Sequence, residues 1–237
     1  MQKYKIIRNS KFIIQSEHFS ASVRFNYKTK KTEKITINPL KLPIMADTAT
    51  KSIKGTKTEK CLVDAYMSES SAYTRYVFYA KQATKENYFG IANIFQETAD
   101  NELHHGKIFF KYLEGGDVDV TMKISAGTIG DTASNLAQAA QSEHIEGVEQ
   151  YEAAAKIADS EGFTDIADHF RAIASVEKRH EARFDRYKKQ VEDGTVWKRE
   201  KPIRWMCLVC GYVYEGTEPP VKCPACDHPR EHYIALD

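Results

Sequence analysis

The sequence predicts a mainly α-helical chain, a four-helix bundle followed by a small metal-bound β module. Three observations carry that prediction. Apolar residues recur at three and four from Thr58 to about Asp193, the second and fourth helical segments repeat one another, and two C-x-x-C pairs follow the last helix.

A chain of 237 residues can bury a real core without disulfide staples. Lys and Arg total 34 against 33 Asp and Glu, but residues 1–45 hold ten basic and two acidic residues. The remainder is therefore mildly acidic. That argues against nucleic acid or an anionic membrane as partner, since either wants a concentrated basic face. No stretch approaches the roughly 18 apolar residues of a membrane span. Paired C-x-x-C cysteines in a reducing, cytoplasmic setting read as metal ligands rather than disulfides. Cys61 stands alone and reads as a small helix residue that packs without chemistry.

Residues 1–50 read as an N-terminal extension without a sustained helical or alternating period, disordered and without function. Met45 near its end suggests a start assigned too early, with an organellar presequence as the competing expectation.

Gly90, the stretch from Gly115 to Gly130, Gly162 and Gly194 interrupt the helical period and divide it into segments at about 58–84, 87–114, 131–160 and 163–192. The bundle is expected over residues 55–193. Ile91, Ala92, Phe95, Glu102, His105, Phe109 and Tyr112 match Ile166, Ala167, Phe170, Glu177, His180, Phe184 and Tyr187 at identical spacings. The pattern is that of a duplicated helix pair, and the long link between the halves suits one crossover. The short links near Asn87 and Gly162 make antiparallel hairpins.

Written as heptads, the inner stripes read Leu62, Ala65, Glu69, Ala72, Tyr76, Ala80; Ile91, Phe95, Thr98, Glu102, His105, Phe109, Tyr112; Leu136, Ala139, Glu143, Glu146, Gln150, Ala153, Ile157; and Ile166, Phe170, Ile173, Glu177, His180, Phe184, Tyr187. Five carboxylates and two imidazoles thus point at one interior. Burying a lone carboxylate costs several kcal/mol, so five converging without cations would be protonated or would unfold the bundle. Two divalent ions bring four positive charges against five negative ones and leave both imidazoles neutral as ligands. Carboxylate-rich ligation suits iron or manganese better than zinc or copper. Taken singly, each Glu would more often lie on a solvated face; the repeated E-x-x-H with a Glu on each other helix is the ligand pattern of di-iron carboxylate bundles.

After Gly194 the helical period stops. Residues 203–237 form a compact unit in which Cys207, Cys210, Cys223 and Cys226 supply four thiolates, suited to zinc or iron. Trp205, Tyr212, Tyr214 and Tyr233, with twelve residues between the knuckles, resemble rubredoxin, where such rings pack beside one iron. A structural zinc ribbon is the alternative. Gly211 follows the first knuckle, whereas Asp227 stands after the second, where rubredoxins generally carry Gly; Asp tolerates the left-handed backbone better than most residues.

Across about residues 55–237 the chain resembles rubrerythrins. The matching motifs are Ser68-Glu69-Ser70 with Arg75-Tyr76, Glu97-Thr98-Ala99-Asp100-Asn101-Glu102 with His105, Glu143 with Glu146, Glu177 with His180, and the rubredoxin-like tail. The resemblance implies a ferritin-like bundle in which Glu69, Glu102, His105, Glu143, Glu146, Glu177 and His180 hold two iron ions. It implies Glu102 and Glu177 as bridges, one iron moving between Glu146 and His105 with redox state, and a further iron on the four cysteines. Tyr76, seven residues after Glu69 and so on nearly the same face, is expected to hydrogen-bond a ligand. Tyr151 lies some 80 degrees round from Glu143 on an ideal helix, and the resemblance alone assigns it a similar role. His104 and His144 are expected at the surface.

The implied activity is a non-haem di-iron peroxidase that reduces hydrogen peroxide to water and protects against oxidative stress. Electrons would be relayed through the tail's iron from a separate NAD(P)H-linked reductase or rubredoxin. Rubrerythrins form dimers in which the tail of one chain approaches the bundle site of the other, so a homodimer or higher homo-oligomer is expected. Ferroxidase and iron-storage activity of the ferritin-like class is the alternative reading, and a purely structural zinc protein a third.

Overall fold

The computed structural model describes residues 11–16, 19–26, 31–33, 51–121 and 127–236. Two compact units divide the chain, Met1–Lys51 and Ser52–Asp237. In the first unit, β1 (Lys11–Ser16), β2 (Phe19–Asn26) and β3 (Lys31–Glu33) form an antiparallel sheet in sequence order. Phe19, Ala21, Val23 and Phe25 alternate with polar residues, which is the period of a strand, but over one short stretch only. Met45 lies outside the described residues.

In the second unit, α1 (Lys57–Lys85) and α2 (Phe89–Tyr112) form one hairpin. The other is built from α3 (Thr132–His144), a π turn (Ile145–Gln150), α4 (Tyr151–Ser160) and α5 (Thr164–Glu192). α1 packs on α2, while α3 and α4 pack on α5. Five of the helix boundaries have a clear local cause. Thr56 caps α1 by accepting from the Glu59 amide at 3.1 Å, and Asp131 caps α3 by accepting from the Ser134 amide at 2.8 Å. Asn87, Gly162 and Gly194 follow the helix ends with φ of 64°, 79° and 64°. Each stands in the left-handed position that ends a helix, and the next amide bonds back into the last turn.

Two apolar clusters fill the bundle. One gathers Leu62, Phe109, Phe163 and Phe170; the other Phe95, Leu136, Ala139 and Phe184. The Glu and His layer lies along the same helix faces, between these clusters in sequence on α1, α2 and α5. Each fully buried Leu or Phe contributes roughly 1.5–3 kcal/mol, whereas an unpaired buried carboxylate costs several. The polar layer is thus a large local liability unless cations neutralise it.

The long third segment is where prediction and structure part. Instead of one helix over 131–160, the π turn inserts the equivalent of one residue and rotates everything after it. Gln150 and Ala153, expected inside, are exposed and Ile157 only half-buried; Tyr151, Ala154, Ala155 and Ala158 are buried in their place.

β4 (Ile203–Cys207) is the centre of an antiparallel sheet between β5 (Val213–Gly216) and β6 (Tyr233–Ala235). Phe89 at the start of α2 stacks on His232 with centroids 3.9 Å apart, and Tyr88 stacks on Trp197 at 5.5 Å. A Cβ on Gly90 would come within 2.8 Å of Ile234 Cγ2, so the tail seats against the bundle only because that residue has no side chain. Among the described residues no helix is long and apolar enough to cross a membrane.

Candidate metal centres

α1 contributes Glu69, α2 Glu102 and His105, α3 Glu143, the π turn Glu146, and α5 Glu177 and His180. All seven are buried, none more than 8 % exposed. Donor atoms converge in two groups, Glu69, Glu102, His105 and Glu177 in one and Glu102, Glu143, Glu177 and His180 in the other. In each group they lie within 4.8 Å of one another. Glu102 and Glu177 belong to both. Each turns one oxygen to either imidazole: His105 Nδ1 is 2.9 Å from Glu102 Oε2 and from Glu177 Oε1, and His180 Nδ1 is 3.3 Å from Glu102 Oε1 and 2.9 Å from Glu177 Oε2.

Despite these distances, both oxygens of Glu102 and of Glu177, Glu69 Oε2, Glu143 Oε2 and both Nδ1 atoms have no hydrogen-bond partner among the described residues. The two imidazoles and the Glu102 and Glu177 oxygens lie at hydrogen-bond lengths without hydrogen-bond geometry. Buried polar atoms are rarely left so, and lone pairs aimed at common points are what a metal pair requires. The pattern also separates roles. Glu69 and Glu143 each keep one inward oxygen free and commit the other to an outer hydroxyl. Tyr151 donates to Glu69 at 2.6 Å, and Tyr76 donates to Glu143.

Protonation reports the same crowding. Burial first, then the charges of Glu102 and Glu177, raises Glu69 well above the carboxylate range; burial and Glu102 do so for Glu143. Burial would lower His105 and His180, but the adjoining carboxylates outweigh it and push them up to about 9 and about 11. Burial would raise Glu177, which the two imidazoles pull down to about 2. A metal-free site would thus hold several extra protons, which two cations displace.

Tyr76 sits as its spacing predicts. Tyr151 is brought in by the π turn, which brings its eight-residue separation from Glu143 close to the seven that return to one face. His104 is exposed, and His144 is half exposed with Nδ1 3.0 Å from Glu181. Three residues had no role assigned from sequence. Asn101 Oδ1 lies 3.4 Å from His180 Nε2, so with Nδ1 facing the site that ring N–H donates outward to it. Ser68 donates to Glu146 Oε1 at 2.8 Å. Gly147 lets the π turn press on α5, since a Cβ there would lie 2.7 Å from Glu177 Cβ and 3.0 Å from the Ala174 carbonyl oxygen. Only the Glu-Gly pair at 146–147, a helix breaker beside a buried acid, signalled that contact.

In the tail, Cys207 and Cys226 Sγ are 3.7 Å apart, as are Cys210 and Cys223 Sγ. A tetrahedron with metal–sulfur bonds near 2.3 Å has edges of about 3.8 Å, so the cage fits one ion. Gly211 and Asp227 both take positive φ, 76° and 63°, and their amides donate to Cys207 and Cys223 carbonyls at 2.8 and 2.9 Å. The two knuckles are therefore alike despite the substitution. Of the four aromatic residues, Trp205 and Tyr233 are buried beside the cysteines, whereas Tyr212 and Tyr214 are more than a third exposed. The expectation that all four pack at the ion is corrected: Tyr212, just before the short strand β5, and Tyr214 within it both stay near the surface.

Comparison with known proteins settles the family. The family model "Rubrerythrin" matches residues 60–188, and "Rubrerythrin, rubredoxin-like domain" matches residues 205–234. The chain belongs to the rubrerythrin family. A rubrerythrin of Nitratidesulfovibrio vulgaris is 45 % identical over 186 residues, 78 % of this chain and 97 % of that protein. A structure of nigerythrin in a mixed-valence state aligns with TM-score 0.52 at 23 % identity, over 85 % of this chain and all of its own. The bacterioferritin of Desulfovibrio desulfuricans, solved with its di-iron site in different catalytic states, aligns with TM-score 0.53 at 19 % identity, over 58 % of this chain and 81 % of its own. These last two likenesses establish the fold, a ferritin-like bundle. As a rubrerythrin-family protein the chain carries a carboxylate di-iron site and a rubredoxin-like domain whose four cysteines are able to bind one iron.

Proposed function

We propose that this protein is a peroxidase that reduces hydrogen peroxide to two waters at the bundle site, taking up two electrons and two protons. The observation that carries the reading is the set of eight unpartnered buried donors converging from four helical elements. Glu102 and Glu177, each with both oxygens unpartnered and one turned to each imidazole, would contribute to holding both ions. Glu69 with His105 and Glu143 with His180 would complete the two sets of ligands. A pair of ferrous ions held there supplies two electrons and a clamp for both peroxide oxygens.

The chain's own residues do the rest. Tyr151 and Tyr76 fix the carboxylates of Glu69 and Glu143, and their hydroxyls stay protonated, since burial and the neighbouring carboxylates raise both pKa values. Asn101 fixes the ring of His180. The apolar clusters along the same helices keep bulk water from the reacting centre.

Electrons come from the tetrathiolate iron, supplied by a separate reductase or rubredoxin. The tail seats at the start of α2, and Glu102 lies thirteen residues beyond Phe89, about 20 Å along a helix axis at 1.5 Å per residue. That separation within one chain favours delivery to the bundle of a second copy, hence a homodimer or larger assembly. Peroxide consumption by the reduced protein, with Glu102→Ala and Cys207→Ser beside it, tests the proposal. Both variants should lose most turnover with the natural electron supply; turnover unaffected by either would sink it.

A further inference from the structure

Tyr233 is buried in the tail, 2 % exposed, in one cluster with Trp205, Cys207 and Cys223. Its backbone is held on both sides. β6 pairs with β4 so that Tyr233 stands opposite Cys207, and its carbonyl accepts from the Trp197 indole N–H at 3.2 Å. Successive side chains of a strand point to opposite faces. Ile234 turns to Gly90 of the bundle, so Tyr233 turns the other way, toward the cysteine cage. There its hydroxyl lies against the Cys223 sulfur, with Cys207 and Cys210 beyond it. Yet the hydroxyl oxygen has no partner of hydrogen-bond geometry among the described residues. Buried polar atoms are rarely left so, and each costs about 1–3 kcal/mol. The one donor a phenol carries is its O–H, and a metal-bound thiolate, being an anion, accepts it more strongly than a thiol does. Tyr212 and Tyr214, more than a third exposed, have no such place.

We propose that in the iron-loaded tail the Tyr233 hydroxyl donates a hydrogen bond to the Cys223 thiolate, and that this bond raises the reduction potential of the tetrathiolate iron. Four thiolates leave a ferric ion with one net negative charge and a ferrous ion with two. A donated hydrogen bond stabilises the second more than the first, and hydrogen bonds to the sulfurs are among the features that set such potentials. Tyr233 touches a ligand and not the iron, so it is a positioning residue. The tail thereby becomes easier to reduce by its upstream donor. The proposal needs iron in the tail and is independent of the peroxidase reading.

The experiment uses the full iron-loaded chain as wild type, Tyr233→Phe and Tyr214→Phe. Redox titration followed by the ferric tetrathiolate absorption gives the tail's midpoint, and resonance Raman gives its iron–sulfur stretches. A crystal structure of the iron-loaded wild type locates the hydroxyl. Tyr233→Phe keeps the ring and its packing. Its midpoint should fall by a tenfold bias toward ferric, about 59 mV for a one-electron step. Its iron–sulfur stretches should move to higher frequency, because the sulfur no longer shares its electron density with a proton. Tyr214→Phe should keep the wild-type midpoint and stretches. Tyr233→Phe with wild-type midpoint and stretches, or Tyr214→Phe shifting as far as Tyr233→Phe, overturns the proposal. So does a hydroxyl turned away from Cys223 in the iron-loaded wild-type structure, which decides the matter even where Tyr233→Phe fails to retain iron.

Discussion

Replacing Gly147 with Ala sets two effects of opposite sign against each other. Helix propensity alone favours Ala over Gly by about 0.8–1 kcal/mol, so a glycine without a packing role would be improved by the change. The structure places the new Cβ 2.7 Å from Glu177 Cβ and 3.0 Å from the Ala174 carbonyl oxygen, and the second of these is backbone that cannot rotate away. Overpacking of this kind costs typically 1–3 kcal/mol, and the strain falls on a bridging carboxylate. The net expectation is a loss of up to about 2 kcal/mol, read as a Tm lower by up to about 8 °C in a unit of this size. Iron retention in the bundle should weaken in parallel. Thermal unfolding by circular dichroism, with iron analysis after dialysis against a chelator, provides the assay. The ferric tetrathiolate absorption of the tail is the internal control and should be unchanged. A Gly147→Ala variant with higher Tm and full bundle iron would refute the close-approach argument.

Tyr151→Phe leaves Glu69 Oε1 without its hydroxyl; a hydrogen bond to a charged group is worth about 1.5–3 kcal/mol, so the bundle should release iron more readily, by about tenfold or more in a chelator competition. Asp227→Gly removes a side chain from a backbone at φ 63° and gives up only an exposed 3.0 Å pair with Lys222, which is worth little; it should stabilise the tail by up to about 1 kcal/mol in denaturant unfolding. Metal removal should make stability depend on pH in one direction. Glu69, Glu143, Glu146, His105 and His180 are all raised in the metal-free fold, Glu146 and His105 to about 7 and about 9. Their stabilisation is present below the unfolded values and lost as pH rises through the folded ones, whereas Glu177, lowered to about 2, changes only under strong acid. The apoprotein's Tm should therefore fall from about pH 5 to about pH 9 while the iron-loaded protein stays nearly level; an apoprotein Tm that rises over that range would contradict the protonation scheme.

The bundle and its buried Glu and His cluster were legible because periodicity and charge made the same demand. On α1, α2 and α5 every interior position named from the heptads is buried except Tyr112 and Tyr187 near the helix ends, which are half-buried. Straight α-helical phase runs unbroken there, so counting residues suffices. It failed after Glu146 because a π turn is invisible to a pattern that assumes 3.6 residues per turn. Gln150 and Ala153 were carried inward by that assumption and Tyr151 outward, and only the family resemblance set Tyr151 right. Ser68 and Asn101 stood in quoted motifs without a role, since spacing shows which face a residue occupies and not what its side chain bonds. The positions of Gly211 and Asp227 followed from the knuckle pattern itself. In residues 11–33 the alternating stretch at Phe19 to Phe25 was too brief to stand out beside polar neighbours.

The central claim is that the bundle site reduces peroxide with electrons held by the protein. Its most direct measurement is anaerobic addition of hydrogen peroxide to the iron-loaded, chemically reduced protein, following peroxide and visible absorption together. The account predicts rapid loss of one peroxide per two electrons, with return of the ferric tetrathiolate absorption as the tail is drained. Peroxide that persists beside a protein still fully reduced would contradict it.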